Sequence, residues 1–342
     1  MSCKKLSFAL LFLIVLISSL NLSAQEKKDS PYDLKVSSGL IEPDIPQDSL
    51  LTISKVALGK KLYFDKRLSI DDTVSCATCH DPKLGFAENK KVSDGVKGGK
   101  GKRNAPSVLN AVFYDLQFWD GRAESLEEQA KGPIANPVEM GISHEALVEK
   151  LKKKEEYLKE FQDIFGNGIT VDNIVKAIAS YERTLISGNS PFDRYMYGND
   201  KKALSDSAKR GIDVFKNKGR CITCHEFLES YASFTDNKFH NIGVGMDKPD
   251  PDLGRYEVTK SSKDKGAFKT PTLRNITLTA PYMHDGSEAT LDDVIEFYNK
   301  GGINNPNLDG GMRQLDLAKE EKADLIEFLK SLTSEGIENL AK

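Results

Sequence analysis

Several features that define other protein classes are scarce or missing in this sequence. Only five of its 342 residues are cysteine, which limits the number of possible disulfides. Beyond one apolar run near the start, residues 6–22, no segment approaches the roughly 20 apolar residues of a membrane-spanning helix. No low-complexity tract is present, and no run alternates apolar and polar residues as a half-buried strand does. These absences exclude a protein that crosses a membrane repeatedly and favour a helical, loop-rich chain.

A strong excess of one charge is missing as well. The 48 lysine and arginine residues nearly match the 51 aspartate and glutamate residues, so the formal net charge is -3. Mild acidity argues against nucleic acid as a partner, because nucleic-acid binding depends on an excess of positive charge. The charge balance therefore excludes one class of partner and identifies no other.

Four of the five cysteines lie in one motif that occurs twice. The sequence C-x-x-C-H appears at residues 76–80 and again 145 residues later at 221–225, and it is the attachment signature of a c-type haem. In this chemistry both sulfurs bond the porphyrin and the histidine becomes the proximal iron ligand. Half a zinc site or a redox dithiol is the alternative for a lone C-x-x-C, but the histidine in both copies favours two covalent haems. The attachment residues are then Cys76, Cys79 and His80, and Cys221, Cys224 and His225.

The first 24 residues have the pattern of a secretory signal peptide. Lys4 and Lys5 precede the apolar run, which ends in the small residues Ser23-Ala24 that are typical of a cleavage site. A retained membrane anchor is the alternative, whereas a lipoprotein anchor is not expected because Cys3 precedes the apolar run. Cleavage would remove Cys3 and leave no cysteine for a structural disulfide. Since bacteria attach c-type haem outside the cytoplasmic membrane, the sequence predicts a periplasmic location.

The residues around the two motifs repeat too. A helical pattern with a glycine and two following apolar residues leads into each motif: Gly59, Leu62 and Tyr63, and Gly211, Val214 and Phe215. The glycine is expected to let the leading helix cross another helix closely. An amphipathic helix with one apolar spacing closes each half: Ile178, Tyr181 and Leu185, and Leu325, Phe328 and Leu332.

This duplication predicts a mostly α-helical fold of two tandem cytochrome c-like domains, each around one covalent haem and with long loops. We expect an N-terminal domain over residues 25–188 and a C-terminal domain over residues 189–342, divided at a small, polar stretch. Residues 25–45 are predicted to form an exposed leader. Residues 230–267, rich in glycine, proline and aspartate, are predicted to form a loop over the second haem.

Further motifs resemble the bacterial di-haem cytochrome c peroxidase family from about residue 50 to the end. They are Lys-Arg-Asn-Ala-Pro at 102–106, Gln-Phe-Trp-Asp-Gly-Arg-Ala at 117–123, Gln-Ala-Lys-Gly-Pro at 129–133, Pro-Val-Glu-Met at 137–140, Thr-Pro-Thr-Leu-Arg-Asn at 270–275 and Leu-Thr-Ala-Pro-Tyr-Met-His-Asp-Gly at 278–286. The family includes a methylamine-utilisation branch, whose enzyme oxidises a partner protein in the maturation of tryptophan tryptophylquinone.

The resemblance implies a role for several residues. His80 would hold the haem that reacts with peroxide, and His225 the haem that handles electrons. Glu139 matches the family's distal carboxylate and Gln129 its distal amide, and cleavage of the peroxide bond needs a group that moves a proton between the two oxygens. Trp119, the only tryptophan in the chain, matches the ring that relays electrons between the haems, although core packing would also account for it.

The resemblance also implies a calcium ion between the haems. Asn104, Thr279 and Pro281 match the family's calcium positions, the latter two through their backbone carbonyls. Oxygen ligands of this kind suit calcium, but the three residues alone would not suggest a metal.

Two departures from the common family pattern affect the predicted irons. The ordinary family member has a histidine between the first haem motif and the Arg-Asn-Ala-Pro motif, whereas this chain has none between Asp81 and Arg103. We therefore expect an open or water-bound site opposite His80. Opposite His225 the usual methionine is replaced by Tyr298, as in the methylamine-utilisation branch, and Thr290 with Asp293 looks like the N-terminal cap of its helix. An aromatic core residue is the alternative for Tyr298, with Met283 or Met246 as the ligand instead.

The sequence thus predicts a periplasmic di-haem peroxidase that reduces hydrogen peroxide with electrons from a cytochrome c or a cupredoxin. The first alternative is a di-haem enzyme that uses peroxide or oxygen equivalents to oxidise and mature a specific partner protein. The second is an electron carrier without catalysis, which Glu139 and the open site disfavour. Homodimers are usual among relatives, so a homodimer is expected.

Overall fold

The computed structural model describes residues 30–341, so the predicted signal peptide lies outside the described residues. Within that range no helix is long and apolar enough to cross a membrane. The α-helices are α1 (Ile53–Phe64), α2 (Cys76–Cys79), α3 (Leu126–Ala135), α4 (His144–Lys152), α5 (Glu155–Phe165), α6 (Val171–Glu182), α7 (Pro191–Met196), α8 (Asp206–Lys216), α9 (Tyr256–Thr259), α10 (Leu291–Asn299) and α11 (Lys319–Lys330). The strands of the described residues are β1 (Phe239–His240) and β2 (Phe268–Lys269).

Strand structure is limited to one short antiparallel pair in this part of the chain. Phe239 of β1 lies opposite Lys269 of β2, and His240 lies opposite Phe268. Short 3-10 helices, among them Val96–Gly98, Ala111–Phe113, Cys221–Thr223, Ile276–Leu278 and Ile337–Ala341, connect many of the other elements. The prediction of a mostly helical, loop-rich fold is confirmed.

Two helix pairs form the frame, and a glycine lies at each crossing. Helices α1 and α6 pack together in the first half, and α8 and α11 in the second. A Cβ atom added at Gly59 would lie 1.8 Å from the carbonyl oxygen of Ala177, and one added at Gly211 would lie 2.1 Å from that of Asp324. Any side chain larger than hydrogen would therefore push the helices apart. Both glycines have the role that the sequence predicted.

The apolar stripes of the closing helices are buried at these crossings. Tyr181 of α6 and Phe328 of α11 are 2% and 0% exposed, and each packs against the glycine of its partner helix. The first crossing continues into a core with Leu62, Leu147 and Phe161, and the second into a core of phenylalanines around Phe192 and Phe215. Each half thus has a core of its own.

A third cluster joins the halves. Ile337, near the C-terminus, is 5% exposed and packs with Tyr63, Phe86 and Val108 of the first half. The C-terminal segment therefore returns to the N-terminal core. The division at residue 188 into two domains stays a prediction.

The N-terminal segment corrects one prediction in part. Residues 25–45 were expected to be an exposed leader, and among the described residues 30–45 only Gly39 is buried. Its carbonyl oxygen accepts hydrogen bonds from Ala232 N at 2.9 Å and from Nη2 of Arg274 at 3.0 Å. Arg274 also makes a buried ion pair with Asp193, 2.8 Å from Nη1 to Oδ2. The segment contacts the second half because the carbonyl oxygen of Gly39 accepts a hydrogen bond from the buried side chain of Arg274.

Candidate haem sites

The first C-x-x-C-H motif forms a single helical turn. Ser75 and Thr78 cap α2 reciprocally, so both sulfurs project from one rigid turn. Neither Cys76 nor Cys79 is in a disulfide. Tyr63 donates from its hydroxyl to the carbonyl oxygen of His80 at 2.9 Å and so ties the motif to α1. Burial lowers the pKa of His80, which favours the neutral imidazole that binds iron.

The segment between this motif and Arg103 contains a short hairpin over residues 94–100. Asp94 pairs with Lys100, and the 3-10 turn Val96–Gly98 forms the tip. Val96 N donates to the carbonyl oxygen of Glu139 at 2.9 Å, and a Cβ at Gly95 would lie 2.0 Å from the carbonyl oxygen of Val138. The glycine-rich segment thus packs directly on the turn that carries Glu139.

Glu139 is held near the first motif. Nδ2 of Asn136 donates to its Oε1 at 2.7 Å, and burial raises the pKa of Glu139 despite this bond. Burial and the charges of Glu88 and Glu139 raise the pKa of Cys79 to about 11, so both carboxylates lie near that sulfur. Glu88 is 6% exposed and Lys90 binds one of its oxygens at 2.8 Å. Glu88 was not identified from the sequence, where its position shortly after the first motif was the only feature that pointed to it.

Gln129 lies half-buried on α3, one turn after the cap at Ser125. Its side-chain amide makes no hydrogen bond to any residue in the described range. The structure therefore brings Gln129 to the same half as Glu139 but shows no direct contact between them, and the role of Gln129 as a distal amide stays a prediction.

The second motif has the same covalent groups in a different turn. Cys221–Thr223 is a 3-10 turn, and neither Cys221 nor Cys224 is in a disulfide. Nδ1 of His225 lies 3.0 Å from the carbonyl oxygen of Phe234. A carbonyl only accepts, so Nδ1 carries the proton and Nε2 keeps the lone pair that a metal needs. Burial lowers the pKa of His225, which keeps the ring neutral.

A cavity of about 380 Å³ opens beside the second motif. Cys221, Cys224 and His225 form part of its wall, and apolar residues of α8, α10 and α11 form much of the rest. A cavity with two unpaired thiols, an imidazole and apolar walls fits a covalently attached haem. His240, Ile242 and Val244 also line it, so part of the predicted loop 230–267 lies over this site.

Tyr298 lies on the wall of this cavity near both thiols. The predicted cap of its helix is confirmed, since Thr290 Oγ1 accepts from Asp293 N at 3.1 Å and Asp293 Oδ2 accepts from Thr290 N at 2.9 Å. Burial, followed by the charges of Cys221 and Cys224, raises the pKa of Tyr298. Without a metal the phenol therefore stays protonated.

Two methionines share this cavity wall with Tyr298. Met283 was considered from the sequence, whereas Met312 was not. Met246 is absent from the wall, and its sulfur lies instead beside Gly266. Among the proposed alternatives to tyrosine, the geometry therefore supports Met283 over Met246.

Trp119 and the predicted calcium residues line the same cavity. Nε1 of Trp119 donates to the carbonyl oxygen of Asn104 at 2.9 Å. Nδ2 of Asn104 donates to Lys90 O at 2.7 Å, which leaves its Oδ1 for another partner. The carbonyl oxygens of Thr279 and Pro281 accept no hydrogen bond from residues 30–341. Three oxygens without donors at one cavity fit a calcium ion.

His240 lies between two carboxylates at the edge of the same cavity. Its Nδ1 is 2.6 Å from Asp309 and its Nε2 is 2.9 Å from Asp236. Ligand atoms of Cys224, Asp236 and His240 lie within 4.8 Å of one another and would also suit a metal ion. Attachment of a haem consumes Cys224 and would leave His240 as a hydrogen-bonding group at the haem edge.

Comparison with known proteins gives consistent matches over most of the chain. Residues 53–201 match the family model of the di-haem cytochrome c peroxidases. The chain is 42% identical to the methylamine utilization protein MauG of Methylorubrum extorquens over 294 residues, which cover 85% of this chain and 81% of that protein. It is 40% identical to the cytochrome c peroxidase Ccp of Escherichia coli over 293 residues, 84% of this chain and 60% of that protein. A solved MauG-like protein associated with microbial copper homeostasis is similar with a TM-score of 0.80 and 32% identity, over 90% of this chain and 97% of that one.

Proposed function

Because the chain belongs to the di-haem cytochrome c peroxidase family, we propose that it reduces hydrogen peroxide to water in the periplasm. Each peroxide takes up two electrons and two protons, and a small redox protein, a cytochrome c or a cupredoxin, supplies the electrons. Family membership implies two c-type haems and an oxidoreductase that acts on peroxide. Cys76, Cys79 and His80 would hold one haem, and Cys221, Cys224 and His225 the other.

The first haem supplies the redox centre for peroxide, and the chain supplies the proton transfer. Glu139 is the proposed base, since it is held by Asn136 beside the first motif and its pKa is raised. It takes a proton from one peroxide oxygen and returns it to the other as the O–O bond breaks. Gln129 would orient the peroxide. The segment 81–102 contains no histidine that could block this site.

The second site has the features of an electron store. His225 and Tyr298 line the same cavity and would be the protein ligands of the haem iron bound there. A phenolate ligand is anionic and would favour the oxidised iron, whereas methionine would raise the potential. Trp119 lies at the same cavity and would pass electrons toward the first haem. The electron donor would dock near this second site.

The remaining predictions are part of the proposal. Calcium would bind Oδ1 of Asn104 and the carbonyl oxygens of Thr279 and Pro281. Two tandem cytochrome c-like domains, a cleaved signal peptide over residues 1–24 and a homodimer are expected as in relatives.

The observation that carries this function is the half-buried carboxylate of Glu139 near the first motif, combined with the family match. Two measurements test it. Optical and EPR spectra of the oxidised, haem-loaded protein should show one high-spin iron that reacts with peroxide and one low-spin iron with histidine and tyrosine ligands. Steady-state assays should show peroxide-dependent oxidation of a reduced cytochrome c or cupredoxin. Two low-spin irons without a peroxide reaction would contradict the proposal, and a histidine–methionine signature would replace Tyr298 with a methionine.

A second candidate is oxidation of a specific partner protein. Tyr298 on the cavity wall favours it, because this ligand is expected in the methylamine-utilisation branch, and relatives in that branch are 42% and 41% identical. The test adds peroxide to the haem-loaded protein together with the periplasmic proteins of its own cells. Mass spectrometry should then find oxidised or cross-linked residues in one partner. Unchanged partner proteins alongside rapid oxidation of a small donor would favour the peroxidase.

A further inference from the structure

Residues 104–126 and 269–291 match one another without a gap. Pairing each residue with the one 165 positions later aligns five identities: Pro106 with Pro271, Asn110 with Asn275, Asp120 with Asp285, Gly121 with Gly286 and Leu126 with Leu291. The two segments are therefore copies of one unit, and each copy precedes a capped helix, α3 or α10.

The backbones of the two copies agree in detail. Asn110 and Asn275 have φ values of 63° and 61°, and Phe118 and Met283 have values of 67° and 71°. Residues 117 and 123 form an isolated bridge, and so do their counterparts 282 and 288. Unusual positive φ values at matched positions indicate that both copies keep the same loop geometry.

The copies also contact each other reciprocally. Asn104 N donates to the carbonyl oxygen of His284 at 2.7 Å, and Lys269 N donates to that of Trp119 at 2.8 Å. Lys269 is the counterpart of Asn104, and Trp119 is the counterpart of His284. The same hydrogen bond is thus made twice, which relates the two sides of the cavity by an approximate twofold axis.

The two sides differ at one pair of carbonyl groups. On the proposed calcium side, the carbonyl oxygens of Thr279 and Pro281 accept no hydrogen bond from the described residues. Their counterparts on the other side are Tyr114 and Leu116, and both accept one. Nε2 of Gln117 donates to Tyr114 O at 3.3 Å, and Nζ of Lys269 donates to Leu116 O at 3.0 Å.

Lys269 is an unusual residue for this position. It is 7% exposed, and Nζ lies 3.3 Å from the ring centroid of Tyr114. No carboxylate among residues 30–341 forms an ion pair with it. Burial lowers the pKa of Lys269 to about 7, so its positive form depends on the carbonyl and the ring face beside it.

We propose that the ammonium of Lys269 is a built-in cation at the counterpart of the calcium site. It binds the carbonyl of Leu116 where the twofold relation would otherwise place a second metal ion. The chain therefore takes one calcium ion rather than two, and the segment 114–119, which carries Trp119, is held without metal. This inference rests on the calcium site of the proposed function.

Replacing Lys269 with the residue found in the other copy gives the direct test. Lys269→Asn should bind two calcium ions where the parent protein binds one, measured by equilibrium dialysis of the haem-loaded protein against calcium. Lys263→Asn, an exposed lysine of the same half, is the matched control and should bind one. A Lys269→Asn protein that keeps its haems and still binds one ion would overturn the second-site part of the inference.

Hydrogen exchange tests the role of Lys269 separately from the proposed calcium site. With a calcium chelator at slightly acidic pH, residues 279–284 of the parent protein should exchange faster and residues 114–119 should not. Lys269→Met should speed exchange of 114–119 by about tenfold or more with calcium present, as expected for losing a charge-assisted hydrogen bond. A parent protein without calcium binding would contradict the metal site alone. Unchanged exchange of 114–119 in Lys269→Met would overturn the role of Lys269.

Discussion

The two C-x-x-C-H motifs have the same attachment residues and differ in the residues that surround them. A glycine-rich hairpin and the carboxylate of Glu139 lie near the first motif, whereas the second motif lines a cavity whose wall includes Tyr298. The frame behind each site is the same, because a glycine lets the leading helix cross the closing helix. The elements that both halves share would therefore hold the haems, and the loops that differ would set the chemistry of each haem.

The carboxylate of the first site gives the largest expected effect. Glu139→Gln should keep both haems and lower peroxide turnover by about 10²–10⁴-fold, since the amide cannot accept the proton. Activity of the parent protein should also fall as the pH drops through the raised pKa of Glu139, because only the ionised carboxylate is a base. The variant should lack this acidic limb in its pH profile.

Glu155→Gln is the matched control for that variant. Glu155 is exposed at the start of α5, so its substitution should leave turnover and the pH profile unchanged. An active Glu139→Gln protein with the parent pH profile would remove the proton-transfer role and with it the main difference between the two sites.

Local patterns were sufficient to predict the frame. The glycine crossings, the apolar stripes that include Tyr181 and Phe328, and the cap formed by Thr290 and Asp293 follow from residue spacing within one or two helical turns. Such signals are readable because helix periodicity relates neighbouring residues directly. The C-x-x-C-H motifs are local in the same sense.

Contacts between distant segments could not be predicted in this way. The burial of Gly39 depends on Arg274, and the burial of Ile337 depends on a cluster in the other half. Lys269 lies in a strand beside a threonine-proline motif. The burial of its ammonium group could not be predicted, because it depends on the carbonyl of Leu116 from a distant segment. Of the candidate site, sequence reasoning identified the residues on the motifs and missed Glu88, Met312 and Lys269.

The two glycine crossings give a second, intermediate effect that tests whether the frames are equivalent. Gly59→Ala and Gly211→Ala should each lower the free energy of unfolding by about 1–3 kcal/mol or more, because the new Cβ would overlap a carbonyl oxygen. Denaturant unfolding of the haem-loaded proteins measures this loss. Spectra should show the first change mainly at the His80 haem and the second mainly at the His225 haem.

Gly310→Ala is the control for both crossings. A Cβ at Gly310 would have no atom within 4 Å, so the free energy of unfolding should change by less than about 0.5 kcal/mol. If either crossing variant were equally neutral, its helices would have to separate more freely than the structure indicates, and the two halves would not share one frame.

A buried carboxyl group on α6 gives the smallest effect and distinguishes the closing helices. Glu182 is 5% exposed with Oε2 unpaired within the described range, and it follows Tyr181 as the equally buried Leu329 follows Phe328. Burial raises the pKa of Glu182 from 4.5 to about 8.

In the unfolded chain the carboxyl group of Glu182 ionises near its ordinary pKa. Between about pH 4.5 and about pH 8 the unfolded state therefore binds fewer protons than the folded state. The free energy of unfolding falls as the pH rises through that window. Glu182→Leu, which copies the second half, should remove this slope and raise the free energy of unfolding by about 0.5–2 kcal/mol above the window. Urea unfolding at about pH 5 and about pH 9 measures both quantities, with little gain expected at the lower pH. If the Glu182→Leu variant were less stable than the parent at both pH values, Glu182 would have a partner in the haem-loaded protein. The two closing helices would then differ because the first haem requires a carboxyl group at this position.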